Sequence, residues 1–154
     1  ASDVYKRQAK YDVYKLVNHG YKETMGRIGK FPFPMSVEEA LSYIKNKLEI
    51  PVLRYAGNRD RLVEKIAILG GAGAEFAGVA KSMGADLFLT GDLKYHEAQD
   101  AAMNGLVIAD GGHFYTERVI IPYLAKRLRD EFKTRGWNVG VLEDVRAKDI
   151  FHCV

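Results

Sequence analysis

An intrachain disulfide is excluded at the outset, because Cys153 is the only cysteine among 154 residues; this fits a reducing compartment. Long apolar runs are missing too. None approaches the ~20 residues that a membrane-crossing helix needs, and the N-terminus lacks the basic-then-apolar layout of a signal peptide. Charge of one sign is scarce: 23 Lys and Arg against 20 Asp and Glu leave a formal +3. That is no nucleic-acid signal, since phosphate binding needs basic residues gathered on one face. A soluble, cytoplasmic chain with no membrane partner is the expectation.

What is present is an ordinary globular composition, 47% hydrophobic and 28% charged, with 15 glycines. A chain of roughly 150 residues can bury about 68–70% of its extended surface, enough for one core. Residues 1–10 are polar at their start and without periodicity, and read as a disordered or foreign lead. Residues 11–154 read as a single α/β domain. Residues 11–17 alternate as a strand does, and residues 18–34, with three glycines and two prolines, read as a long irregular connection. Ser36 and Glu39 have capping-box spacing, ahead of Val37, Ala40, Leu41, Ile44 and Leu48 on one helical face. Residues 51–55 suit a short edge strand, where a proline is tolerated.

From Lys65 one unit recurs. An apolar run at 66–69 leads to Gly70-Gly71-Ala72-Gly73 and a helix. A second at 87–89 leads to Thr90-Gly91-Asp92 and a helix. A third at 106–109 leads to Asp110-Gly111-Gly112-His113, then a long helix over 116–135 with Ile120, Leu124, Leu128 and Phe132 on one stripe. Residues 139–142 read as a fourth strand. Short continuous apolar strands alternating with helices predict a layered α/β sandwich, with a largely parallel sheet and helices on both faces.

In such sheets ligands bind beyond the carboxyl ends of the strands. Three successive strands end in glycines and polar side chains at one rim, which predicts a pocket there. His113 and Glu117 lie one helical turn apart, and imidazole nitrogen with carboxylate oxygen suits zinc, iron or manganese. Equally, Thr116 could cap the following helix, with Glu117 merely a favourable acid in its first turn. Asp92 and His96 repeat the one-turn spacing; either could instead be a cap or a solvated residue. Lys94 beside them suits an anion or plain solvent. The run Gly71-Ala72-Gly73 invites a dinucleotide reading, but Phe76 stands where the third glycine belongs. A phosphate could still rest on amides there.

Two elements, Thr90-Gly91-Asp92-Leu93-Lys94-Tyr95-His96 and Gly112-His113-Phe114-Tyr115-Thr116-Glu117, resemble those of the Nif-three-like dinuclear-metal-centre family, the GTP cyclohydrolase I, type two, homologues. Gly26-Arg27-Ile28-Gly29 and Gly70-Gly71-Ala72-Gly73 match the same family's later half, so the resemblance covers about residues 11–142. It implies two divalent transition-metal ions (zinc, manganese or iron) in the intact protein, with His113 and Glu117 as ligands. Catalytic roles for His96 and Asp92, and substrate contacts from Gly71, Gly73, Thr90 and Lys94, follow as expectations. The implied activity is metal-dependent hydrolysis of a nucleotide-like or phosphorylated small molecule, in a homo-oligomeric ring. The alternative is a non-catalytic nucleotide-binding or ring-forming module. The family's paired histidines have no counterpart, since no His-His occurs in the chain. Weak or partial metal uptake by this chain alone is therefore expected, because a closed tetrahedral site takes four ligands.

Overall fold

The computed structural model describes residues 14–16 and 25–152. Six strands form one sheet: β1 (Tyr14–Leu16), β2 (Met25–Ser36), β3 (Arg54–Ala56), β4 (Leu62–Ala72), β5 (Leu87–Gly91) and β6 (Val107–Asp110), in the order β1-β2-β4-β5-β6-β3. Helices are α1 (Val37–Leu48), α2 (Ala77–Ser82), α3 (Tyr95–Met103), α4 (His113–Glu117) and α5 (Ile120–Thr134), with a 3₁₀ turn at Ala74–Phe76. The centre, β4-β5-β6, is parallel, while β2 is antiparallel to both β1 and β4, and β3 is antiparallel to β6. Strands β1, β4, β5 and β6 thus run one way, and β2 and β3 the other. This is the α/β sandwich expected, with a mixed sheet whose antiparallel members lie outside the parallel centre.

Both faces of that centre are covered. All five residues of β5 and all four of β6 are buried, which is why these strands read as continuous apolar runs rather than alternating ones. Leu87 and Leu89 face α1, against Val37, Ala40, Leu41 and Ile44. Phe88 and Ile108 face the opposite layer, with Phe76, Ala80 and Ala101. Helices α2 and α3, which bridge β4 to β5 and β5 to β6, therefore share one side of the sheet. The capping box of α1 forms as its spacing predicts: Ser36 N–H donates to Glu39 Oε2 at 2.8 Å, and Glu39 N–H donates to Ser36 Oγ at 3.2 Å. The Glu39 carboxyl is held below its usual range by these Ser36 bonds.

Three expectations about elements are corrected. Much of 18–34 is not an irregular connection, because β2 begins at Met25 and continues to Ser36; residues 18–24, like the lead at 1–10, lie outside the described residues. Pro32 and Pro34 fall between Lys30 and Met35, where the β2–β4 register is interrupted, so the strand tolerates their missing N–H groups. Residues 139–142 form no strand. The outer side of β6 is already taken by β3, and Leu142 stands 97% exposed. The single helix expected over 116–135 is two, broken at Arg118 and Val119. Pro122 becomes the third residue of α5, in the first turn, where its lack of an N–H costs no helical bond.

The short strand at the sheet's end, β3, is the edge strand expected near 51–55, displaced to Arg54–Ala56. The stripe of α5 is another matter. Ile120, Leu124 and Leu128 are 53%, 49% and 37% exposed, and Ala125 is the one residue of this helix that is buried. Among the described residues no helix is long and apolar enough to cross a membrane.

Candidate functional site

Register places the three loops together. Ala72 pairs with Gly91 across β4 and β5, and Thr90 pairs with Asp110 across β5 and β6. The turns that follow consequently open at one rim, as the strand pattern predicts. Helix α4 lies directly on this rim. A Cβ on Gly91 would come within 2.9 Å of Gly112 C and His113 N, and one on Gly71 within 2.5 Å of Glu117 Oε1. Glycine is required at Gly91 because α4's backbone occupies the space that a methyl group needs, and at Gly71 because its φ of 68° strains any side chain.

Thr116 fastens this packing. It is not the cap that its sequence position suggested, since it lies inside α4 and Gly112 precedes the helix with φ 76°. Its buried hydroxyl donates to Gly112 O at 2.8 Å and accepts the Gly71 N–H at 3.0 Å. Thr90 Oγ1 donates to Gly71 O at 3.0 Å. Both polar groups of Gly71 are thereby occupied.

The substrate contacts expected of these residues take a different form in the structure. The Gly71 amide is already given to Thr116, so it is not presented to a phosphate. Thr90 is fully buried and acts as a strut. Gly73 is buried before the 3₁₀ turn, where an added Cβ would meet Leu69 Cδ2 at 2.3 Å. Lys94 is exposed at the start of α3, with its N–H given to Glu97 and its ammonium 3.7 Å from the same carboxyl group.

His113 and Glu117 are brought together. His113 Nε2 stands 3.2 Å from Glu117 Oε2, and Nδ1 stands 2.7 Å from Asp92 Oδ2. Asp92 holds an unusual backbone conformation for a non-glycine residue, φ 53°, which turns its carboxylate across to the neighbouring strand's helix. Its partner is thus His113 rather than His96. His96 is exposed on α3 with its ring edge-on to Tyr95 at 5.6 Å, and it does not line the cleft described below. The hydrogen bond to Asp92, with the Glu117 charge beyond, raises the His113 pKa against the lesser effect of burial. A protonated ring between two acids donates to both.

Asp110, to which the sequence pattern assigns no role, organises the rim. Its buried carboxylate accepts the Gly112 N–H at 3.0 Å, the Leu93 N–H at 3.3 Å and Arg54 Nη2 at 2.6 Å. One side chain ties the residue after Asp92, the residue before His113, and the edge strand. The Asp-x-Gly turn from 110 to 112 was the available signal.

Asp92, Asp110, His113 and Glu117 line one cleft of about 1050 Å³, with Arg54, Phe114 and the segment 148–152 among its other walls. Chemically, Nε2 and the Glu117 carboxylate form an adjacent nitrogen–oxygen donor pair whose imidazole is oriented through Nδ1 by a carboxylate. Among the described residues no group of three or more His, Cys, Asp or Glu is arranged to hold an ion.

Comparison with known proteins matches residues 4–148 to Duf34/NIF3 (NGG1p interacting factor 3). The chain is 34% identical over 131 residues to a GTP cyclohydrolase 1 type 2 homolog of Bacillus subtilis (strain 168), covering 85% of this chain and 35% of that protein. It is 35% identical over 130 residues to one of Clostridium perfringens (strain 13 / Type A), covering 84% and 48%. Among solved structures, a Bacillus cereus protein related to NIF3 superposes with a TM-score of 0.81 at 34% identity, covering 86% of this chain and 37% of that one. The chain spans less than half the length of each of these relatives.

Proposed function

Because the chain belongs to the Duf34/NIF3 family, we propose that it contributes part of a divalent-metal centre, serving hydrolysis of a nucleotide-like or phosphorylated small molecule. The observation that carries this reading is the pairing of His113 Nε2 with Glu117 Oε2 at 3.2 Å while Asp92 holds Nδ1. Two donors each about 2.0–2.1 Å from a tetrahedral zinc stand roughly 3.3–3.4 Å apart. The pair fits such an ion. A carboxylate on the far ring nitrogen is also the usual support for a ligating histidine, fixing its tautomer and raising its basicity.

His113 and Glu117 would hold zinc, manganese or iron at this point, and the ion would supply Lewis acidity toward a bound oxygen or water. The chain's own residues do the rest. Asp92 fixes the His113 ring, Asp110 fixes the loops that carry both, and Glu117 contributes the second donor. Two donors are half of a tetrahedral set, so partial uptake is expected of this chain.

Zinc titration of the purified chain against a chromophoric chelator tests the reading. Weak uptake is expected, lost in His113→Ala and Glu117→Gln, and weakened about 10–100-fold in Asp92→Asn, the effect of removing a ligand's supporting partner. Uptake unchanged in His113→Ala removes the site. A second reading, a ring-forming module, is favoured by the exposed α5 stripe of Ile120, Leu124 and Leu128.

A further inference from the structure

The cleft has a second chemical character on its β3 side. Arg54 stands opposite Asp110 in the β3–β6 ladder, and its Nη2 donates to Asp110 Oδ2 at 2.6 Å. Its side chain nevertheless remains 72% exposed, against 8% for Asp110, and it lines the same cleft as His113 and Glu117. One corner of the guanidinium is therefore fixed by a buried acid that two backbone N–H groups already anchor. The remaining donors of the fork have no partner among the described residues.

This is more than a cross-strand ion pair requires. A planar fork held at one corner by a buried carboxylate loses little further freedom on receiving an oxyanion, and it matches phosphate geometry in two parallel bonds. The other cations of the cleft differ from it. Arg118 is committed to Glu49 and lies over the Phe114 and Tyr115 rings. Lys148 lines the cleft without an ion pair among the described residues, so it can add charge there but no fork. Asp92, Glu117 and Asp149 also line the cleft, while the Asp110 carboxylate beside Arg54 is buried and already takes two backbone N–H groups and one corner of the guanidinium, so the exposed edge of the Arg54 fork is where an oxyanion finds donors.

We infer that Arg54 anchors a terminal oxyanion, the phosphoryl end of a small-molecule ligand, on the β3 side of the cleft that holds His113 and Glu117. The inference rests on the proposal that the cleft is a substrate site, but it requires no bound metal.

Inorganic phosphate titrated into chelator-treated protein, followed by amide NMR, tests it. In the wild type the Gly111 and Gly112 amides shift and saturate. Arg54→Gln removes the charge, and Arg54→Lys keeps the charge but loses the fork; in both, apparent affinity falls about tenfold or more. Should Arg54→Gln disturb the fold, Arg54→Lys, which retains a cation opposite Asp110, carries the test. Affinity unchanged in Arg54→Lys, or no phosphate response in the wild type, overturns the inference. Zinc titrated without phosphate separates the two readings. Zinc binding that depends on His113, together with phosphate binding indifferent to Arg54, removes this inference and leaves the metal reading. The reverse pattern removes the metal reading and leaves the anchor.

Discussion

Replacing Thr116 by valine deletes one hydroxyl and nearly conserves volume, so it isolates the bond that holds α4 to the sheet. The hydroxyl is buried, accepts the Gly71 N–H at 3.0 Å and donates to Gly112 O at 2.8 Å. In the variant, the buried Gly71 N–H faces a methyl group. An orphaned buried donor costs about 1–3 kcal/mol, a sizeable share of the roughly 5–15 kcal/mol that a domain possesses. With a urea slope of about 1–3 kcal/mol/M, the unfolding midpoint falls by about 1 M. Thr116→Ser is the companion variant. It keeps both bonds and gives up one methyl group, about 0.8 kcal/mol. Hydrogen exchange supplies the local readout, with the Gly71 amide losing protection in the valine variant and keeping it in the serine variant. A valine variant within about 0.5 kcal/mol of wild type, with Gly71 still protected, refutes this account of how α4 is seated.

The raised His113 pKa gives a pH signature whose sign is fixed. A folded-state value above the ordinary 6.5 means that the stability from its protonated form is fully present below 6.5 and is lost as pH rises through the folded value. Urea titrations across that range should show wild-type stability declining where His113→Gln stays level; parallel profiles rule out the Asp92–His113–Glu117 arrangement. For the α5 stripe, light scattering of the wild type should give an oligomer and Leu124→Lys with Leu128→Lys a smaller species. A monomeric wild type ends the assembly reading.

The rim site was legible in outline because two of its determinants are local. A one-turn spacing places His113 and Glu117 on one side of whatever short helix they share, and a strand ending before Asp110-Gly111-Gly112 places that helix at the sheet's carboxyl edge. The family resemblance carried by the Thr90–His96 and Gly112–Glu117 elements is likewise written in the chain, and the match over residues 4–148 bears it out. Roles that depend on a partner elsewhere could not be read. Thr90, Gly71 and Gly73 look available as residue types, yet neighbouring elements consume their polar groups or their space. Asp92 has an equally well-spaced histidine at His96, and only its left-handed backbone turns it toward His113 instead.

The division runs along the range of the forces involved. Composition, periodicity and cap spacing act over a turn or a strand, so the amino-acid sequence by itself determined the alternating β and α elements, the capped α1 and the doubly buried central strands. Which strands lie outermost, whether prolines fall at a gap in a ladder, and which hydroxyl or carboxylate meets which amide depend on contacts between segments dozens of residues apart. Arg54 meets Asp110, and Gly71 meets Thr116, only once the sheet has assembled. Tertiary packing alone decided those pairs, because a hydrogen bond is chosen by proximity in space and no local pattern encodes it.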